Sequence, residues 1–359
     1  VPESSVVVRP QPPGSSGYSA ASRLQAAGLR PAIALFEQAA AVVPLPRAPQ
    51  PIVIADYGAA TGHNSLLPIG SAIATLRGRT RPEHCVLVTH TDVPDNDFTA
   101  MFRTVADDPD SYLRKDSAVF TSAVGRSFYQ QILPSNSVHL GWSSWAIQWL
   151  SRTPAPVPDH LHIAYSADEA VRSAYARQAA HDWHEFIAYR GRELCPGGRM
   201  VVMTMALGED GGFGFEPLLT AMTDTLAELA GAGLLSADDL RAMTISTVAR
   251  HRTDFLAPFA PSGRFERLEI EHLEVFDGDD RYFAEYRKDN DANAFGARWA
   301  QFARASVFPA MAATLSQPGR HPQVFDRLEA GITARLAAAP QATRIPLAHL
   351  VLHKRPKTH

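Results

Sequence analysis

Two glycines set among polar and acidic residues, Ala-Asp-Tyr-Gly-Ala-Ala-Thr-Gly-His-Asn-Ser at 55–65, form the densest local signal for chemistry in this chain. They follow an apolar β-branched run, so Gly58 and Gly62 would turn the backbone tightly where a strand ends and bring it close to a ligand. Asp56 adds a carboxylate that can accept from an ammonium or a hydroxyl group. The spacing Asp-x-Gly-x-x-x-Gly departs from the dinucleotide pattern Gly-x-Gly-x-x-Gly and brings no phosphate-binding lysine. It suits a nucleoside cofactor with no phosphate to cradle, such as S-adenosylmethionine; a purely structural turn is the competing reading. A second acidic cluster, Thr-His-Thr-Asp-Val-Pro-Asp-Asn-Asp-Phe at 89–98, follows another apolar run. Asp92 is placed there to accept both ribose hydroxyls of a nucleoside. Asn96 or Asp97 suits a helix cap ahead of Phe98, Met101 and Phe102.

Residues 125–151 concentrate aromatics and small hydroxyls. Phe128 or Tyr129 can pack on an adenine ring, while Trp142, Trp145 and Trp149 can wall a flat substrate and offer an indole N–H. A buried corner between a sheet and a cap would account for the same aromatics. Among 14 histidines, His63 lies in the glycine loop and His139 in the aromatic segment, within reach of a pocket. His181 and His184 read as a solvated helix face. With no His-Glu-x-x-His, no metal site is expected. No Gly-x-Ser-x-Gly elbow occurs either, which leaves serine-hydrolase chemistry without support.

These residues need elements to hold them. Apolar spacing predicts a helix over 20–43, ended by Pro44 and Pro46. Ile52, Val53 and Ile54 mark a buried strand, a helix starts near Asn64 or Ser65, and strands follow in "HCVLVTHTD" and "SVHLGWSS". Residues 166–194 read as a long helix capped by Ser166 or Asp168, then a Cys-Pro-Gly-Gly turn leads into another buried strand. Such alternation predicts an α/β fold with a doubly wound, mostly parallel sheet. Beyond Gly208 the pattern changes to helices at 216–231, 237–243 and 291–315, a half-exposed strand near 265–277, a helix in "HPQVFDRLEAGITARLAAA" and a closing strand, "IPLAHLVLHKRP". The expected division is a flexible segment at 1–19, a cofactor-binding core at 20–208, a helical cap at 209–345 that also sends one strand to the core, and a final core strand with a basic tail at 346–359.

With 359 residues, 45% of them hydrophobic and 20% charged, the chain can bury a core without staples, and wholesale disorder is excluded. A formal charge of -3 without a long basic block argues against a nucleic-acid partner. The 2 cysteines, Cys85 and Cys195, are too few for a disulfide scaffold, which points to a reduced, cytoplasmic compartment. The first residues lack the apolar stretch of a secretory signal, and no uninterrupted apolar run reaches the ~18 residues of a membrane span.

Four ordered segments resemble the plant-type SABATH family of carboxyl methyltransferases, which includes enzymes acting on salicylic, benzoic and jasmonic acids and on theobromine. Its Ser-Tyr-x-x-Asn-Ser-x-x-Gln is matched by "GYSAASRLQ", keeping Tyr18, Ser22 and Gln25. Its Asp-Leu-Gly-Cys-Ser-x-Gly-Pro-Asn-Thr becomes "DYGAATGHNS", and its Asn-Asp-Leu-Pro-x-Asn-Asp-Phe-Asn becomes "TDVPDNDFT". "RSFYQQILP", "SVH", "SSW" and "WLS" follow in the family order, and "PGGRMVVMTMALG" extends the likeness to about residue 208. Ala21, His63, Gln130 and Gln131 depart from the pattern, and "TISTVARHRTDF" lacks the family's Pro-x-Tyr. The chain is read as a divergent, bacterial-type member.

The resemblance implies a class I methyltransferase-like Rossmann sheet with a mostly helical substrate cap, S-adenosylmethionine as cofactor and a small carboxylic acid, expected to be aromatic, as partner. A homodimer is a common family arrangement. By that resemblance Ser22, Asp56, Gly58, Gly62, Asn64, Asp92, Val93, Ser127 and Phe128 bind the cofactor. Gln25 and Trp149 hold the substrate carboxylate, and Tyr18, Trp145 and Gln148 line the substrate pocket; His139 is a further pocket candidate. Methyl-ester formation is the leading expectation. Methylation of a ring nitrogen or phenolic oxygen, and a silent small-ligand-binding protein on the same fold, are the alternatives.

Overall fold

The computed structural model describes residues 29–315 and 321–356; the candidates Tyr18, Ser22 and Gln25, and the segment 1–19, lie outside the described residues. The first half alternates strand and helix: α1 (Leu29–Val42), β1 (Ile52–Tyr57), α2 (His63–Arg77), β2 (Val86–Asp92), α3 (Phe98–Asp107), α4 (Tyr112–Lys115), β3 (Val119–Gly125) and β4 (Val138–Ser144). A long helix, α5 (Glu169–Glu193), leads into β5 (Leu194–Met205). Then come α6 (Glu216–Gly231), α7 (Ala237–Ala242), α8 (Arg252–Leu256), β6 (Leu268–Asp277), α9 (Arg281–Asp289), α10 (Ala292–Ser306), α11 (Phe308–Ala312), α12 (His321–Ala338) and β7 (Pro346–Lys354).

The sheet has 7 strands in the order β3-β2-β1-β4-β5-β7-β6. Strands β1 to β5 are parallel, and β7 enters antiparallel between β5 and β6. Side chains alternate across it with the strand period of two. Ile52 and Ile54 meet Phe36, Ile69 and Leu76 on one face, while Ala55 and Tyr57 join Trp183, Phe186 and Ile187 of α5 on the other. Both faces are covered, as a parallel sheet requires.

Asp168 caps α5 by accepting from Val171 N, and Asp97 caps α3 by accepting from Ala100 N. The cap is a helical layer of its own, in which α6, α10 and α12 bury Met222, Trp299, Leu328 and Ile332. Gly296 permits a close approach there, since a β-carbon would stand 2.3 Å from the Thr333 carbonyl oxygen on α12.

Four details differ from the sequence expectations. Strand β3 has no counterpart among them, because an edge strand with one residue buried and Phe120 exposed shows no strong apolar pattern. Helix α9 was hidden by its charge, burying only Tyr282. The single helix expected over 291–315 divides at Val307, where Pro309 cannot continue the ladder and starts α11 instead. The Cys-Pro-Gly-Gly turn is drawn into β5, whose pairing with β4 shifts register between Val138 and Leu140.

Candidate active site

Because β1, β2 and β4 run parallel, their carboxyl ends open on one edge of the sheet, the usual ligand position in such folds. A cavity lies there, lined by Gly58, Asn64, Asp92, Val93, Ser127 and Phe128 on the sheet side. Trp145, Gln148 and Trp149 line its middle, and Phe213, Leu218, Met222, Ile245 and Phe302 close it from the cap.

Gly58 sits at φ 87°, and a β-carbon there would stand 2.4 Å from the Ala146 Cβ, so glycine lets the loop touch the β4 edge. Asp92 accepts from Ala60 N at 2.7 Å through one carboxylate oxygen and from Val93 N at 2.8 Å through the other. Burial raises its pKa to about 6, and the nearby Asp56 adds to the rise, against the lowering effect of the two amides. An acceptor-only carboxylate on the cavity wall matches a pair of ribose hydroxyls, and the turn at Gly58 leaves room for a nucleoside beside it.

Trp149 is held from several sides. Tyr129 Oη donates to its carbonyl at 2.6 Å, and the next turn is pinned by Asp182, which accepts from Ser151 N at 2.8 Å and Ser151 Oγ at 2.6 Å. Arg250 donates to Ile147 O at 2.8 Å from below. Trp145 lies at φ 53°, an unusual conformation for a bulky residue, and donates its backbone N–H to Met203 O at 3.0 Å. Gln148 donates to the Trp145 carbonyl at 2.7 Å, so its side chain braces this turn.

Four candidates are placed elsewhere. His139 stands near the start of β4, five residues or ~16 Å along the strand from the cavity end at Ser144. Its Nδ1 accepts from Val53 N at 3.0 Å, and burial lowers its pKa to about 4; the pocket expectation for His139 is corrected. Asp56 does not line the cavity. It is buried beneath the loop, bonded at 2.7 Å to His90 Nδ1, whose Nε2 meets Tyr112 Oη at 2.7 Å. Gly62 is likewise off the lining, turning the chain into α2 as its N-cap residue. Trp142 is core, packed 5.0 Å from the Phe36 ring centroid.

Two groups escaped the sequence reading. His162 and Thr247 come together on the cap side of the cavity from positions 85 apart, with no local pattern to join them. Gln178, Asp182, Arg190 and Glu193 are buried polar residues on α5. Their spacing, continued through Phe186, is that of a helix face turned inward, a signal that was legible but masked by charge.

Sheet order, cap and cavity together define a class I methyltransferase-like enzyme with a helical substrate cap. Among solved structures the chain is similar to a loganic acid methyltransferase with bound S-adenosylhomocysteine, at TM-score 0.78 and 20% identity over 97% of this chain and 99% of that one, which shows the shared fold. Residues 6–355 match the family described as SAM dependent carboxyl methyltransferase, and the chain belongs to that family. It is 27% identical over 252 residues to the salicylate carboxymethyltransferase of Clarkia breweri, covering 67% of each chain. With gibberellic acid methyltransferase 1 of Arabidopsis thaliana it shares 27% over 297 residues, covering 76% of this chain and 77% of the relative. Both relatives are plant proteins, so the bacterial-type expectation finds no support. The protein is thus an S-adenosylmethionine-dependent carboxyl methyltransferase acting on small organic acids. No helix among the described residues is long and apolar enough to cross a membrane.

Proposed function

We propose that the protein forms the methyl ester of a small, largely apolar, aromatic carboxylic acid. The observation that carries this is the division of one cavity into a polar wall at Asp92 and the Gly58 turn, Trp149 on a turn whose backbone is braced, and an apolar chamber walled by Phe213, Phe215 and Phe302. In this reading Asp92 accepts from the ribose of the cofactor, with Val93, Ser127 and Phe128 around the nucleoside, Asn64 towards its methionine end and Ser22 contributing from the N-terminal segment. Bound there, S-adenosylmethionine supplies an electrophilic methyl group for direct displacement.

The chain's own task is alignment. A carboxylic acid with a pKa in the usual range of about 4 is ionised at neutral pH and needs no base. Trp149, with Gln25, would hold one carboxylate oxygen and leave the other facing the methyl group, and the apolar cap would exclude water from the encounter. The cavity's His162 has both ring nitrogens engaged, with Ala164 N and Thr247 Oγ1, and burial lowers its pKa to about 3. That weighs against a nitrogen or phenol acceptor requiring a base.

The test is incubation with methyl-labelled cofactor and a panel of aromatic and aliphatic acids, followed by extraction and mass identification of neutral products. A base-labile methyl ester, formed best from an aromatic acid, is expected. Label appearing only in base-stable products would overturn the reading.

A further inference from the structure

We infer that Thr247 is a specificity-determining residue that donates a hydrogen bond to a second oxygen of the substrate, a hydroxyl or carbonyl group beyond the carboxylate that is methylated. This deepens the proposed carboxyl methylation and rests on it. The tautomer of His162 is set by its neighbours. Ala164 donates its backbone N–H to His162 Nδ1 at 3.1 Å, so that nitrogen carries a lone pair. In a neutral imidazole the proton must then sit on Nε2. Burial keeps this ring neutral, holding its pKa far below the usual value.

His162 Nε2 lies 3.0 Å from Thr247 Oγ1 and can only donate to it. The hydroxyl's own hydrogen therefore points elsewhere, and among the described residues no hydrogen-bond acceptor receives it. Thr247 lines the cavity and is only 6% exposed, so bulk water does not readily serve the purpose. A buried donor left unmatched is costly, and a ligand oxygen would relieve that cost.

Backbone pairing says where the hydroxyl stands. Leu150 N donates to Ser246 O at 3.0 Å and Val248 N to Gln148 O at 2.8 Å, which makes Trp149 and Thr247 directly opposed on a short antiparallel bridge. Opposed residues of this non-hydrogen-bonded kind project to the same side, about 4.5–5.5 Å apart at their β-carbons. Thr247 therefore stands beside the indole assigned to the carboxylate. Around it the cavity is apolar, with Phe213 centred 4.2 Å from the His162 ring and Ile245 two residues away in the chain. One oriented donor in such surroundings rejects an unsubstituted hydrocarbon frame and selects one with an oxygen at that place.

The acid best esterified by the wild-type protein is compared with its deoxy parent, using Thr247→Val, Thr247→Ala and Thr247→Ser. The best acid is expected to carry an oxygen besides its carboxyl group. Thr247→Val should raise its KM about tenfold while moving that of the parent less than twofold, and serine should restore the wild-type preference. Thr247→Ala, which crowds nothing, should reproduce the loss, and S-adenosylhomocysteine binding measured by calorimetry should stay within twofold and show that each variant is folded. A best acid with no second oxygen, or equal effects on both acids, or no effect on either, overturns the inference. Absence of ester from every acid with the wild-type protein instead removes the carboxyl-methylation reading, before any variant is tested.

Discussion

Asp92 binds its proton unusually tightly for a carboxyl group, with a pKa near 6 set first by burial. With Asp92 on the ribose as proposed, the hydroxyls donate, so the ionised form would be the one that binds the cofactor, and protonation would compete with binding as pH falls through 6. The expected result is an apparent Kd for S-adenosylhomocysteine about tenfold weaker near pH 5 than near pH 7.5, by calorimetry. Asp92→Asn should bind weakly at both, without that slope; a wild-type affinity flat across the range would remove Asp92 from the ribose. The same raised pKa has a sign for stability. Between about pH 4 and 6 the empty native state retains a proton that the unfolded chain has released, so this group's contribution falls as pH rises. Asp92, Gly58 and Trp149 were legible in the sequence because each sits in a compact motif after a strand. His162 and Thr247 were not, because their relation is a contact across 85 positions.

Helix α5 positions the site from beneath through its buried polar face. Glu193 accepts from Tyr57 Oη at 2.7 Å, from Leu133 N at 3.0 Å and from Arg190 Nη2 at 3.0 Å, which ties β1 and the segment after Phe128 to one helix end. Arg190 is fully buried and also donates to the carbonyls of Phe128 and Gln130, each at 2.9 Å. Removing one partner strands the other charge, so Glu193→Ala should lower the free energy of unfolding by about 3–5 kcal/mol in urea titration. A loss under about 1 kcal/mol would mean that the pair contributes little to holding these elements. Gly58→Ala meets a different obstacle, combining a left-handed backbone with a contact of 2.4 Å to Ala146 Cβ. It should weaken cofactor binding at least tenfold by displacing the loop, measured by calorimetry on folded protein. At this scale the strongly apolar strands and the capped helices could be read directly. Strand β3 and helix α9 could not, since half-exposed edges and charged helices owe their form to neighbours rather than to their own pattern.

Sheet and cap meet only through the folded chain, and the cavity takes one wall from each. Cofactor bound at the sheet edge should therefore stabilise the whole protein by mass action. At a hundred times its Kd, S-adenosylhomocysteine adds about 2.7 kcal/mol to unfolding, which should raise the thermal midpoint by about 3–4 °C for a chain of this size. An unchanged midpoint under saturation would contradict a site built from native structure.

The sequence by itself determined the alternation of strand and helix, the glycine turn, the acidic residue after β2 and the tryptophan-rich segment, because each is set by neighbours within about ten residues. It carried the family resemblance for the same reason. Only tertiary structure decided that Asp56 is bonded to His90 beneath the loop, that His139 accepts from Val53 at the end of β4 remote from the cavity, and that Thr247 stands opposite Trp149. These depend on which strands lie side by side, how far along each strand a residue sits and which segments the cap brings back. Such relations are fixed by packing of distant parts of the chain, and no local periodicity encodes them.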